Sequence, residues 1–396
     1  MPLGLYISVP FCRTKCTYCN FASGVFSRQR LDQYISRLCQ EIAGSRETAV
    51  QMCGVFEPSA DSIYFGGGTP TFLDIAQLER LFVSIRQNFE VADDAEITVE
   101  CAPGTLSAQK TEALVRYGVN RVSLGVQSFV DREAASVGRL HKREVVVDDI
   151  ARLRSVGITN INVDLIAGLP HQNEESWQES LNALIRSSVP HASVYMLEVD
   201  EDSRLGREVI AGGHRYHAHF VPNDDLTADL YEIACQRLNE AGICQYEISN
   251  FARRGLESQH NLKYWTRQPY FGFGVDAHSM LFGEGEGATR FSNPDALEKY
   301  MGATEPKQPL RITRQESLEE TFFLGLRLNR GIDLSAVQQR FGVEALQEFL
   351  PVISELRAGG FLDQQGETIF LSTRGRLLSN EIFEKFVSVG DAKAFA

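Results

Sequence analysis

The sequence predicts an α/β protein, a parallel sheet of six strands with its helices outside it, followed by a smaller α+β module. Three observations predict it. Up to about residue 200, short β-rich runs alternate with helical stretches in the rhythm of repeated βα units. After that point the rhythm breaks. A mixed polar linker, "GATEPKQPLRIT" at 302–313, then sets off the C-terminal 80 or so residues.

In chain order the strands read as "GLYISV" (4–9), "DSIYFG" (61–66), "EITVEC" (96–101), "RVSLGV" (121–126), "INVDLIAG" (161–168) and "ASVYMLEV" (192–199). Between them lie amphipathic segments such as "LDIAQLERLFVSIRQNF" and "EVVVDDIARLRSVG", where Val146, Ile150 and Leu153 recur at helical spacing. Parallel strands joined by right-handed crossovers fit an open doubly wound sheet and a full or partial barrel alike. Beyond residue 200, "GGHRYHAHFVPNDD" (212–225) reads as a loop leading to a helix at "LTADLYEIACQRLNEAG". "YEISNFARRGLESQHNLKYW" and "YFGFGVDAHSM" read as irregular structure with short strands. The last module has helices at "SLEETFFLGLRL", "LSAVQQRF" and "VEALQEFLPVISELRAGG", two strands around the turn of "FLDQQGETIFLS", and a final helix. Helices followed by a β-hairpin suggest a winged-helix-like module. Such modules often bind DNA, but an acidic chain favours packing or protein contact.

Composition narrows the function classes. With 396 residues the chain can bury a large core, and its net charge of −13 speaks against nonspecific binding to nucleic acid or anionic membranes. No run of eighteen apolar residues is present, as a membrane-spanning helix would need. "MPLGLYISVP" has no basic stretch ahead of its apolar run and no small-residue cleavage site, so a cytoplasmic location is expected. Eight cysteines (12, 16, 19, 39, 53, 101, 235, 244) are too sparse for a disulfide scaffold.

The ends of the strands carry the chemistry. Each of the first five is followed at or near its C-terminus by a polar or glycine-rich element: the cysteine loop, "GGGTP" (66–70), Glu100, Gln127 and Asp164. In barrels and open α/β sheets that edge is where ligands bind.

In "FCRTKCTYCNFAS" (11–23), Cys12, Cys16 and Cys19 form Cys-x3-Cys-x2-Cys with no fourth cysteine nearby. A disulfide would leave one thiol over, and structural zinc normally takes four ligands, so zinc would need a remote histidine or cysteine. An iron–sulfur cluster held by three cysteines keeps one iron open. S-adenosylmethionine suits that vacancy, since its amino and carboxylate groups can chelate the iron and an electron from the cluster can cleave the sulfonium.

Those cysteines, directly after the first strand, resemble the radical S-adenosylmethionine signature. "LYISVPFC", "FGGGTPTFL", "GVQSF", "GRLH", "NVDLIAGLP", "YEISNFAR" and "HNLKYW…GFGVDAHS" resemble the oxygen-independent coproporphyrinogen III oxidases and their heme-chaperone relatives, from residue 3 to about 282. The resemblance implies a partial (β/α)6 TIM-type barrel, with a radical S-adenosylmethionine core at 1–240, a family-specific extension at 241–310 and a winged-helix-like domain at 311–396. It further implies that Cys12, Cys16 and Cys19 ligate a [4Fe-4S] cluster. Tyr6 and Tyr18 match positions that contact S-adenosylmethionine, and Gly67, Gly68 and Thr69 match the loop that takes its amino group. Glu100 matches a further cofactor contact, and a carboxylate can accept from ribose hydroxyls or an ammonium. Gln127, Arg139 and Asp164 match positions that hold a second S-adenosylmethionine in the oxidases.

Two departures point to the heme-chaperone branch. Phe21 stands where the oxidases carry a further cysteine, and the oxidases extend further ahead of the first motif, whereas the strand here begins at residue 4. The expected function is that of a heme chaperone, with heme as cargo, heme-acceptor proteins (membrane or respiratory) as partners, and flavodoxin or ferredoxin as electron donor. The alternative is oxidative decarboxylation of coproporphyrinogen III. His260 and His278 lie in family motifs and are candidate iron ligands, and His214, His217 and His219 are a candidate metal cluster or a solvated loop. Asp276 occupies a position where the family usually has a small residue. The remaining five cysteines read as structural thiols.

Overall fold

The structure, a computed structural model, describes residues 1–283, 287–302 and 307–387. Part of the expected linker (303–306) and the end of the expected C-terminal domain (388–396) lie outside the described residues. The six expected strands form as β1 (Leu3–Val9), β2 (Ser59–Gly67), β3 (Glu90–Cys101), β4 (Arg121–Gln127), β5 (Asn160–Ala167) and β6 (His191–Met196). They pair in that order, all parallel. This order decides between the two architectures. A doubly wound sheet reverses its order at an interior strand, whereas here every right-handed crossover steps the same way and places its helices on one face, which curls the sheet. The result is a partial barrel.

Alternation explains why it stays open. The odd positions of β1 (Leu5, Ile7, Val9) and their counterparts Ile63, Phe65, Ile97, Val99, Val122, Leu124, Ile161, Val163, Ala192 and Val194 are buried in one core. That core is completed by helix residues, among them Leu38 of the helix Arg28–Ala43, Leu81 and Ile85 of Ile75–Asn88, and Trp177 and Leu181 of Glu174–Ser187. Because successive side chains point to opposite faces, the intervening residues line the concave side. Tyr6 lies opposite Tyr64, Tyr64 opposite Thr98, Thr98 opposite Arg121, Ser123 opposite Asn162, and Asp164 opposite Ser193. This lumen is polar throughout. Local signals fix the helices around it: Ser27 caps the first, and Asp74 with Gln77 forms a capping box on the helix Ile75–Asn88.

Residues after 240 extend the same sheet at both edges. β7 (Cys244–Gln245) and β8 (Asn250–Ala252) add antiparallel strands beside β6, while β9 (Tyr270–Phe273) runs parallel to β1 and carries β10 (His278–Phe282), β11 (Ala288–Ser292) and β12 (Leu310–Ile312) outward. The stretch expected to be irregular contains a helix, Gln259–Trp265. It seats on Glu96, whose carboxylate accepts from Ser258 Oγ at 3.3 Å and from the backbone N–H groups of Gln259 and His260 at 3.0 and 3.1 Å. Its anchor thus lies on β3, far away in the chain.

The C-terminal unit has helices at Arg314–Gly325, Leu334–Phe341 and Val343–Ala358, with a small sheet of β13 (Ile332–Asp333), β14 (Leu362–Gln365) and β15 (Thr368–Leu371), and a last helix, Ser379–Glu384. It is winged-helix-like and has its own core around Phe322, Phe349 and Phe386. A buried ion cluster joins it to the barrel: Glu320 accepts from Arg267 Nε at 2.7 Å and meets Arg290 Nη1 at 2.6 Å. Among the described residues no helix is long and apolar enough to cross a membrane. Glu320→Ala leaves two arginines without their carboxylate and is expected to lower stability by about 3–5 kcal/mol, measured by urea denaturation with Trp265 fluorescence.

Candidate functional site

The cysteine loop leaves β1 and is closed at its base. Cys12 N–H donates to Gly24 O and Gly24 N–H to Pro10 O, each at 2.9 Å. Further out, Thr17 N–H donates to Val137 O at 3.1 Å, Leu205 N–H to Thr17 O at 2.8 Å, and the Arg204 guanidinium donates to Lys15 O. The tip is therefore held from two sides. Cys12, Cys16 and Cys19 are free, partly exposed thiols. Burial raises the Cys12 thiol above its ordinary range, and Cys16 and Cys19 are near enough to add to that. Phe21 is 62% exposed.

The glycine loop after β2 is tied to this structure by backbone bonds, Gly68 N–H to Val9 O at 2.9 Å and Thr69 N–H to Phe11 O at 2.8 Å. Thr69 Oγ1 donates to Cys12 Sγ at 3.7 Å. A side chain at Gly68 would collide: its Cβ would stand 2.8–2.9 Å from Val9 O and the Phe11 backbone. Gly67 has φ of +100°, in the region that favours glycine. Both positions demand glycine, for different reasons.

The other expected residues line the mouth of the lumen. Tyr6 lies in β1 with its ring 6.2 Å from that of Tyr64. Tyr64 OH donates to Glu100 Oε1 at 2.9 Å, and the Glu100 carboxyl is pushed up to about 7 by burial first and by the Asp164 charge second. Asp164 accepts from Asn162 Nδ2 at 2.7 Å and Ser123 Oγ at 3.2 Å. Gln127 ends β4 beyond a register shift, with φ of +70°. Arg139 donates from Nη2 to Tyr18 OH at 3.3 Å and lies against Gly125, where a Cβ would be 2.8 Å from Nη2. Its Nε is buried without a partner. A small solvent-open cleft between Cys16, Thr69, Thr105, Arg139, Leu140 and His141 adjoins the loop.

These features fit the implied cluster and S-adenosylmethionine. Three thiols share one clamped loop, a glycine cradle is packed against it, and an arginine at the mouth has an unused donor. Among the described residues no three His, Cys, Asp or Glu side chains converge as a single metal ion would require; a cuboidal cluster instead takes each thiolate on a separate iron.

The histidines divide. His260 is 1% exposed and has both ring nitrogens engaged, Nδ1 with Ser62 Oγ at 3.1 Å and Nε2 with Tyr264 OH at 2.8 Å. Binding iron there requires releasing one of them. His278 is exposed, 3.9 Å from Asp276. Asp276 itself has φ of +58°, a left-handed turn conformation that Asp tolerates better than most residues. In the "HRYHAH" loop His217 Nδ1 meets His171 Nε2 at 3.2 Å. Sequence reasoning misses the lumen's own network: His191 bonds Asn162 Oδ1 at 2.7 Å and Tyr246 OH at 3.0 Å, and Ser193 donates to Asn250 at 2.8 Å. Its signal is the alternation R-S-G-Q in "RVSLGVQ" and N-D in "INVDLIAG", unusual where doubly covered parallel strands are apolar throughout.

Comparison with known proteins agrees with this geometry. Residues 6–184 match the Radical SAM superfamily and residues 312–378 the HemN C-terminal domain. Coproporphyrinogen III oxidase (HemN) from Escherichia coli, a radical SAM enzyme, has a similar structure, with TM-score 0.81 and 26% identity over 97% of this chain and 90% of that one. Fold and site define a radical SAM protein. The heme chaperone HemW of Bacillus subtilis (strain 168) is 35% identical over 388 residues, 96% of this chain and 98% of that protein. HemW of Lactococcus lactis is 31% identical over 389 residues, 98% of this chain and 97% of that protein. The chain belongs to the HemW family.

Two predictions concern the site. Gly68→Ala is expected to cost about 1–3 kcal/mol by overpacking and to lower iron and sulfide per chain after anaerobic reconstitution, read by elemental analysis. For Glu100, whose carboxyl rises from 4.5 to about 7 on folding, the folded chain holds a proton that the unfolded chain has released. Its contribution is full below pH 4.5 and is lost as pH rises through about 7. Glu100→Gln should flatten the fall in thermal midpoint across that interval in ligand-free protein.

Proposed function

We propose that this chain is a heme chaperone that carries a [4Fe-4S] cluster on Cys12, Cys16 and Cys19 and binds S-adenosylmethionine beside it. The observation that carries the reading is the clamped loop of three free thiols with Phe21, not cysteine, beyond the third, in a chain whose full-length relatives are named heme chaperones. Bound together, cluster and S-adenosylmethionine supply one-electron chemistry leading to a carbon radical. The chain's own part is positioning. Gly67, Gly68 and Thr69 let a ligand approach the backbone closely, with Tyr6 and Tyr18 at its sides. Glu100, poised near neutrality, accepts from hydroxyls or an ammonium. Gln127, Arg139 and Asp164 offer a second polar set across the mouth, suited to a second S-adenosylmethionine.

In this reading heme is cargo, delivered to acceptor proteins, membrane or respiratory. Flavodoxin or ferredoxin reduces the cluster, and the chain works in the cytoplasm. We further propose that 1–240 act as core, 241–310 as the extension that frames the lumen, and 311–396 as the C-terminal domain.

The likeness to HemN favours a second reading, oxidative decarboxylation of coproporphyrinogen III. One pair of assays separates the two. Reconstituted protein is expected to retain about one heme per chain through gel filtration and to form no protoporphyrinogen IX from coproporphyrinogen III under reduction; turnover to that product would establish the oxidase instead.

A further inference from the structure

Arg121 is the anomaly of the lumen. It opens β4, faces inward and is 2% exposed. Among the described residues its side chain makes no hydrogen bond and no ion pair, and its Nε is buried without a partner. Two further orphans flank it. Its register partners Thr98 on β3 and Asn160 on β5 present Thr98 Oγ1 and Asn160 Oδ1, both buried and unpartnered. Three unsatisfied polar groups therefore lie side by side across three neighbouring strands.

Among the described residues no carboxylate bonds the guanidinium. Asp164 feels its charge, which pulls that carboxyl down against burial, but no carboxylate oxygen is paired with it, and the bonds these carboxylates make go elsewhere. Glu96 is taken by Ser258 and the backbone of Gln259 and His260, Asp164 by Asn162 and Ser123, and Glu100 by Tyr64. The Arg121 charge is felt around the lumen: after burial, it is the next cause holding His191 well below the histidine range, and it acts on His260 after burial and Lys263. Water could satisfy the donors but not the charge. A carboxylate satisfies both, and a guanidinium's planar fork matches its two oxygens.

We propose that Arg121 receives a carboxylate of the ligand that fills the lumen, at the start of β4, across Thr98 from Tyr64 and well before the level of Asp164. The assignment deepens the proposed function and rests on it for the ligands, which offer two sources of that group: a heme propionate and the amino-acid end of the second S-adenosylmethionine, that of the first being taken up at the cluster. On the same concave face Tyr6, Tyr64, Glu100 and Asp164 are all partly exposed.

The experiment compares ligand pairs that differ in the carboxylate. Reconstituted full-length wild type, Arg121→Gln and Arg121→Lys are titrated with heme and heme dimethyl ester, and with S-adenosylmethionine and its decarboxylated form. In the arm whose carboxylate Arg121 receives, the affinity ratio of acid to carboxylate-free ligand should fall about tenfold or more in Arg121→Gln. It should fall less in Arg121→Lys, which keeps the charge and guards against a folding defect, itself read by thermal midpoint. Affinity for the carboxylate-free ligands should stay unchanged. Ratios equal to wild type in both arms for a folded Arg121→Gln protein overturn the assignment, as does an equal loss for both members of each pair. Failure of wild type to bind heme at all sinks the chaperone reading separately, and the S-adenosylmethionine arm then decides Arg121 alone.

Discussion

Period-two alternation along β1–β6 is the constraint on which the rest depends. The apolar residues all point to the helices, so the barrel's stability resides in its outer layer and the concave face is released from packing. A TIM barrel that fills its interior with Val, Ile and Leu has nowhere to put a ligand except its rim. This one keeps a polar interior running from the cysteine loop down to Glu96, and leaves a gap between β1 and β6 that β9 and β8 frame without sealing.

Polar groups inside a protein must be mutually satisfied or they cost stability. The lumen network does this with short side chains on neighbouring strands, Ser123, Asn162, Ser193 and Asn250, joined to His191 and Tyr246. Elsewhere the same economy appears as buried carboxylates that pin distant segments. Glu41 accepts from Gly274 N–H, Asn293 Nδ2 and Tyr300 OH, fixing the turn that carries Asp276. Glu247, fully buried, accepts from Asn250 Nδ2 and lies 3.8 Å from Arg327 of the C-terminal unit.

Much of this was legible in the sequence because it is local. The six strands, the glycine turn and the cysteine loop announce themselves within a few residues, and the sequence already puts the cysteine loop, Gly67, Glu100, Gln127 and Asp164 at or near the ends of successive strands. What escaped depends on partners far along the chain. "SQHNLKYW" looks irregular until Glu96 caps it, and "YFGF" becomes a strand only by pairing with β1. The sheet's order, and with it the choice of barrel over doubly wound sheet, is likewise a property of crossovers and not of any one segment. Arg121 escaped because an arginine at the start of a strand ordinarily reaches solvent; alternation with Val122 puts it on the concave face, where the lumen buries it.

The closed base of the cysteine loop bears on how its three thiols are presented. Cys12 and Gly24 close the segment 12–24 into a ring, held by backbone bonds from Gly24 to Pro10 and from Thr17 to Val137. Those bonds offset part of the entropic toll of gathering the three thiols. Any group that takes all three thiols together then has less chain left to order as it binds.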